Sequence, residues 1–148
     1  HFDHHAYATV VIPLSPITDY TGGLYVQSGH NMSSRSFLRL EAGDAVVHDF
    51  HLRHGVEVFQ GARFSLIFWI KTDTKSCEQR STPWIAQAAL EGDARAKFIL
   101  AKQEVEIGNY GKAINWFKEA AAQGHTHAMY NVATAYENGQ GVKASAKK

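Results

Sequence analysis

The sequence predicts an α+β chain in two parts, a β-rich sandwich or barrel followed by stacked α-helices. Three observations predict it. Before about residue 75, β-branched and aromatic residues come in short runs broken by Gly, Pro, Asp and Ser. After it, Ala, Lys, Glu and Gln dominate and the apolar spacing lengthens. The second part also repeats itself at an offset of 32 residues, the range of stacked helix pairs.

Taken in order, strands are expected at about Tyr7–Leu14, Gly23–Val26, Ser36–Leu40, Ala45–Phe50, Gly55–Phe59 and Phe64–Ile70. Tyr20-Thr21-Gly22-Gly23 and Glu41-Ala42-Gly43-Asp44 read as turns. The run from Phe64 to Ile70 alternates only partly and reads as a strand buried on both faces. Lys71–Ser81 is polar and reads as a linker, after which Pro83 opens a helix. Trp84-Ile85-Ala86-Gln87-Ala88-Ala89-Leu90-Glu91-Gly92 then aligns with Trp116-Phe117-Lys118-Glu119-Ala120-Ala121-Ala122-Gln123-Gly124, and Phe98 with Tyr130. Alanines let paired helices approach closely, and Trp, Phe and Tyr are expected to fill the gaps between them. Gly108 and Gly139 are expected to end helices.

Composition narrows the function classes. The chain has 148 residues, 45% of them hydrophobic and 20% charged, which suits one ordinary domain or two small ones. Fifteen Lys and Arg against 14 Asp and Glu give a net charge of +1, which argues against an electrostatic nucleic-acid binder. One cysteine, Cys77, excludes an internal disulfide framework and a multi-cysteine zinc site. No apolar run is long enough for a membrane-spanning helix. A first residue that is His rather than Met reads as a fragment or a processed product.

Seven of the nine histidines lie in the first 54 residues: His1, His4, His5, His30, His48, His51 and His54. Histidine is the commonest metal ligand. In an extended backbone, His1 and Asp3 point to the same side and can reach one ion. His54 is the candidate third ligand. Two histidines and a carboxylate that leave open positions form the facial triad of non-haem Fe(II) oxygenases. Downstream, Arg63 and Ser65 share a strand face, and a guanidinium beside a hydroxyl suits a carboxylate. Arg63 is also readable as a surface ion-pair residue, but its apolar neighbours argue for partial burial, which calls for an anionic partner. His48, His51 and His54 recur every three residues, so a zinc site built on them is a rival reading. Otherwise His48 and His51 read as satisfied structural histidines, and His4 and His5 as strand-edge or pocket-lining residues.

The ordered set His1-x-Asp3, His54, Arg63-x-Ser65 resembles the catalytic half of the 2-oxoglutarate- and Fe(II)-dependent dioxygenases, of the prolyl and lysyl hydroxylase type. Gly22-Gly23-Leu24, Gly43-Asp44-Ala45-Val46, His54-Gly55-Val56 and Gly61-Ala62-Arg63-Phe64-Ser65-Leu66 agree with it. The resemblance implies a double-stranded β-helix, or jelly roll, present here in part. It implies His1, Asp3 and His54 as Fe(II) ligands. Arg63, with Ser65, would hold the distal carboxylate of 2-oxoglutarate, and Tyr7 or Thr9 would add a hydrogen bond. It further implies hydroxylation of a C–H bond of a protein or peptide side chain by O2, with succinate and CO2 released and ascorbate in support.

The second part resembles the Sel1-like repeat, a relative of the tetratricopeptide repeat. Ala113, Trp116, Ala120-Ala121, Gly124, Ala128, Ala135-Tyr136 and Asn138-Gly139-Gln140-Gly141-Val142 carry the likeness. About two units are expected from about Trp84 to Val142, the second without its return helix. The expected organisation is therefore a partial dioxygenase domain over 1–73, a linker over 74–82 and repeats over 83–148. The repeats imply a protein partner. The alternatives are a non-catalytic repeat scaffold with a degenerate jelly-roll remnant, and a cupin-like zinc protein or hydrolase. One cysteine fits the cytoplasm, while hydroxylase relatives that work in the secretory pathway keep that compartment open for a chain whose leader was lost.

Overall fold

The computed structural model describes residues 1–79 and 81–144. It is mixed α and β, with strands in the first part and helices in the second. The chain divides into two compact units, His1–Thr82 and Pro83–Lys148.

The first unit holds six strands: β1 (Ala8–Pro13), β2 (Tyr20–Gln27), β3 (Arg35–Phe37), β4 (Val46–Asp49), β5 (His54–Gly61) and β6 (Ser65–Ile70). All pairings are antiparallel, in two three-stranded sheets ordered β4-β1-β6 and β3-β2-β5. Each expected strand has an observed counterpart within a few residues. β1 shows why: its β-branched Thr9, Val10, Val11 and Ile12 favour the extended backbone. Thr9, Val11 and Pro13 alternate inward.

Three expectations fail. Tyr20–Gly23 is no turn but the first half of β2. Gly22 adopts φ +93° there, and the β2–β5 register slips between Thr21 and Gly22. Positive-φ glycines that would serve a turn instead make a bulge. A Cβ at Gly22 would run into the Glu57 carbonyl oxygen, so the bulge requires glycine. The Glu41–Asp44 turn does form, with the Asp44 N–H donating to the Glu41 carbonyl at 3.1 Å. Second, β6 is not buried on both faces: Phe68 is 51% and Trp69 53% exposed. It is the outer strand of its sheet and pairs with β1 alone, and an apolar run cannot report whether anything covers it. Third, the segment read as a linker contains helix α1 (Thr74–Gln79). Asp73 nucleates it by accepting from the Ser76 N–H at 2.7 Å and the Ser76 hydroxyl at 3.0 Å.

The second unit is helical: α2 (Pro83–Leu90), α3 (Ala94–Glu106), α4 (Tyr110–Ala122) and α5 (Thr126–Asn138). α3 and α5 are the same segment displaced by 32 residues, each 13 residues long. Each opens on a side-chain cap, Asp93 accepting from the Ala96 N–H and His125 from the Ala128 N–H. Gly139 closes α5 in the left-handed conformation. Ala101, Ala113, Ala120 and Ala128 are buried with Phe117, and Phe98 and Trp116 pack against them. Small residues at the crossings bring the helices close, as the pattern predicts. The tyrosines depart from it: Tyr130 lies on the exposed face of α5, the last described helix.

Candidate metal centre

His1 and His54 are brought together by main chain before side chains matter. The His1 amino group donates to the His54 carbonyl at 2.9 Å, and the His54 N–H donates back to the His1 carbonyl at 3.1 Å. This reciprocal pair ties the chain start to the first residue of β5. Asp3 follows in a tight turn, its carbonyl accepting from the Ala6 N–H at 2.9 Å.

The side chains then converge. His1 Nε2 lies 3.2 Å from Asp3 Oδ1, and His54 Nε2 lies 3.5 Å from Asp3 Oδ2. One ligand atom from each of the three lies within 4.8 Å of the others, the one such group among the described residues. Asp3 is 4% and His54 5% exposed, while His1 faces solvent. A carboxylate this buried needs donors, and the Thr9 hydroxyl supplies one to Oδ2 at 2.8 Å. The His54 Nδ1 sits 3.1 Å from the Leu52 carbonyl. A carbonyl only accepts, so Nδ1 carries the proton and Nε2 turns a lone pair toward Asp3. Burial, ahead of the opposing contact with the Leu52 carbonyl, pushes the His54 imidazole below its ordinary range. The neutral form is the one that ligates metals.

Arg63 and Ser65 form a second cluster. The Arg63 guanidinium carbon lies 5.8 Å from the Tyr20 ring centroid. Its Nε and Nη2 and the Ser65 hydroxyl are buried without a hydrogen-bond partner. Orphaned donors of this kind are costly in a folded chain. The sheet register relates Ser65 to Thr9, the residue that donates to Asp3. Thr9 is opposite His48 and Trp69, and Pro13 is opposite Ser65. Paired residues share a face, and four residues of strand separate the Thr9 row from the Pro13 row, about 13 Å.

The other candidates fall elsewhere. Thr9 donates its hydroxyl hydrogen to Asp3 and so orients that carboxylate. Tyr7 is half exposed, its N–H bonded to the Ile70 carbonyl. His51 pairs with Asp49 at the surface, so the His48–His51–His54 zinc set does not assemble. His5 lies against the Trp69 ring at 5.1 Å, beyond the cluster. His48 is not the satisfied histidine expected: it is buried, yet its Nε2 has no partner. Sequence reasoning missed Tyr20 beside Arg63 and the Ser15 hydroxyl, which accepts from the Phe64 N–H at 2.8 Å where β6 begins. No local signal marks either, since both contacts are long range.

Known proteins resemble the chain in two respects. Residues 103–125 and 126–148 match the Sel1 repeat family. Over 84 residues, 56% of this chain, the sequence is 32% identical to a PKHD-type hydroxylase of Prochlorococcus marinus (strain MIT 9215). The chain spans about a third of that relative's length, 34%. No solved structure matches the chain significantly.

Proposed function

We propose that the first unit is the metal- and cosubstrate-binding part of a 2-oxoglutarate- and Fe(II)-dependent dioxygenase that hydroxylates a C–H bond of a protein or peptide side chain. The observation that carries the reading is the convergence of His1, Asp3 and His54 ligand atoms across 53 residues of sequence. On this reading the two sheets are part of a jelly roll spanning about 1–73, followed by 74–82 as a connection and 83–148 as repeats. The hydroxylase relative supports the class.

The residues fit the implied groups. Two imidazoles and a carboxylate suit a divalent iron and leave positions open for a chelating ligand. The orphaned Arg63 and Ser65 donors suit a carboxylate. When bound, Fe(II) with 2-oxoglutarate and O2 supplies the oxidising power, and substrate C–H becomes C–OH with release of succinate and CO2. The chain's own work is to hold and orient. Thr9 fixes the Asp3 carboxylate, the Leu52 carbonyl fixes the His54 tautomer, and Arg63 with Ser65 fixes the far end of the cosubstrate. The repeats would present a partner or substrate, with ascorbate keeping the iron reduced.

Binding tests this first. Co(II) titrated into the full chain should bind, and His54→Ala should abolish it. Arg63→Ala should weaken 2-oxoglutarate about tenfold or more, the cost of losing a charge-assisted hydrogen bond. Succinate formation with Fe(II) and ascorbate then tests turnover. A folded chain that takes up neither Co(II) nor 2-oxoglutarate overturns the proposal. That result favours the second reading, a repeat scaffold without catalysis, for which the Sel1 match at 103–148 speaks.

A further inference from the structure

His48 is the one imidazole beside the cluster that the proposed function leaves idle. It is 8% exposed, and its ring centroid lies 4.2 Å from that of His54. It stands opposite Thr9 in the β1–β4 register, so it shares the sheet face of the residue that orients Asp3. Its Nδ1 lies 2.9 Å from the Asp49 carbonyl, which only accepts, so Nδ1 carries the proton. Nε2 is then a bare acceptor, buried and without a partner. A core histidine with a packing role would have both nitrogens satisfied or one in solvent. What is missing is a donor. Three protein ligands leave open positions on a divalent ion, and water fills such positions and carries donor hydrogens.

We propose that the Nε2 of His48 accepts a hydrogen bond from a water ligand on the metal held by His1, Asp3 and His54. His48 is then a positioning residue for the open side of that site. The inference rests on the metal-binding reading above and deepens it.

The test uses the full chain and Co(II) alone. Metal affinity is measured by calorimetry, and the visible absorption of the bound ion reports its coordination. His48→Phe keeps bulk and ring shape but removes the acceptor. It should weaken Co(II) about tenfold, the lower end of what loss of an outer partner costs a metal site, and should alter the visible spectrum. His48→Gln, which retains an acceptor oxygen, should bind close to wild type. Equal losses in both variants mark a packing role and overturn the proposal, as does a His48→Phe chain indistinguishable from wild type. If the wild-type chain takes up no Co(II), the metal reading fails and this inference with it. If wild type binds and His48→Phe matches it, only this inference fails.

Discussion

Thr9 carries more of the candidate site than its size suggests. It is 1% exposed, and its hydroxyl is the hydrogen-bond donor to a carboxylate that is nearly as buried. Thr9→Val keeps the shape and removes the donor. The Asp3 oxygen left behind costs about 1–3 kcal/mol, to be read from chemical denaturation. Co(II) affinity should fall about 10–100-fold, as for other partners of metal ligands, while Thr9→Ser should keep most of both. If Thr9→Val binds Co(II) like wild type, Asp3 is oriented by something else. At this scale the sequence named His1, Asp3, His54, Arg63 and Ser65 by type and spacing. It did not foresee the hydrogen bond from Thr9 to Asp3 or the buried, unpartnered Nε2 of His48. Spacing shows which residues can share a face, whereas the partner of a given nitrogen or hydroxyl depends on strands that lie far off in the chain.

Among the elements, α5 offers the clearest pH test. Its cap is His125, whose Nδ1 accepts from the Ala128 N–H at 3.3 Å and whose ring stacks on Phe98 at 4.5 Å. Burial first, then the nearby Arg95 and His127 charges, hold this imidazole below its ordinary 6.5. The unfolded chain therefore takes up the proton at a higher pH than the folded one. The stability contributed is present above pH 6.5 and is lost as pH falls through the folded value. Protonation also ends the cap, since an imidazolium accepts nothing, and places a cation at a helix N-terminus. Thermal melts followed by helical circular dichroism should show a falling midpoint below about pH 6.5. His125→Asn, a preferred cap, should flatten that slope; an unchanged slope removes His125 as its source. The sequence made the helices and their 32-residue offset plain, because small residues and glycines recur on a fixed period. It did not reveal α1, where a single aspartate cap outweighs a polar composition that reads as linker.

Over the whole molecule, the exposed strand β6 is the main liability. Leu66, Phe68 and Ile70 line one face and Ile67 and Trp69 the other, all at least 43% exposed, at the edge of a sheet. Uncharged apolar edges pair with other chains. Light scattering should show association that rises with concentration, and Phe68→Lys should reduce it with a change in stability of at most about 0.5 kcal/mol, as expected at an exposed position. Scattering unaffected by Phe68→Lys points to a different surface. Among the described residues no helix is long and apolar enough to cross a membrane.

By itself the sequence determined the two-part organisation, the order of six strands and the helical period, since each depends on local backbone preference and on apolar residues recurring at short range. It also placed the candidate ligand residue types in order along the chain. Tertiary structure decided what touches what. The main-chain pairing of His1 with His54 set the three ligand atoms within reach of one another. The β1 register put His48 and Thr9 on one row and Ser65 on another, and left β6 at an edge. These outcomes depend on contacts between residues dozens of positions apart, and no local pattern encodes the partner of a buried polar atom.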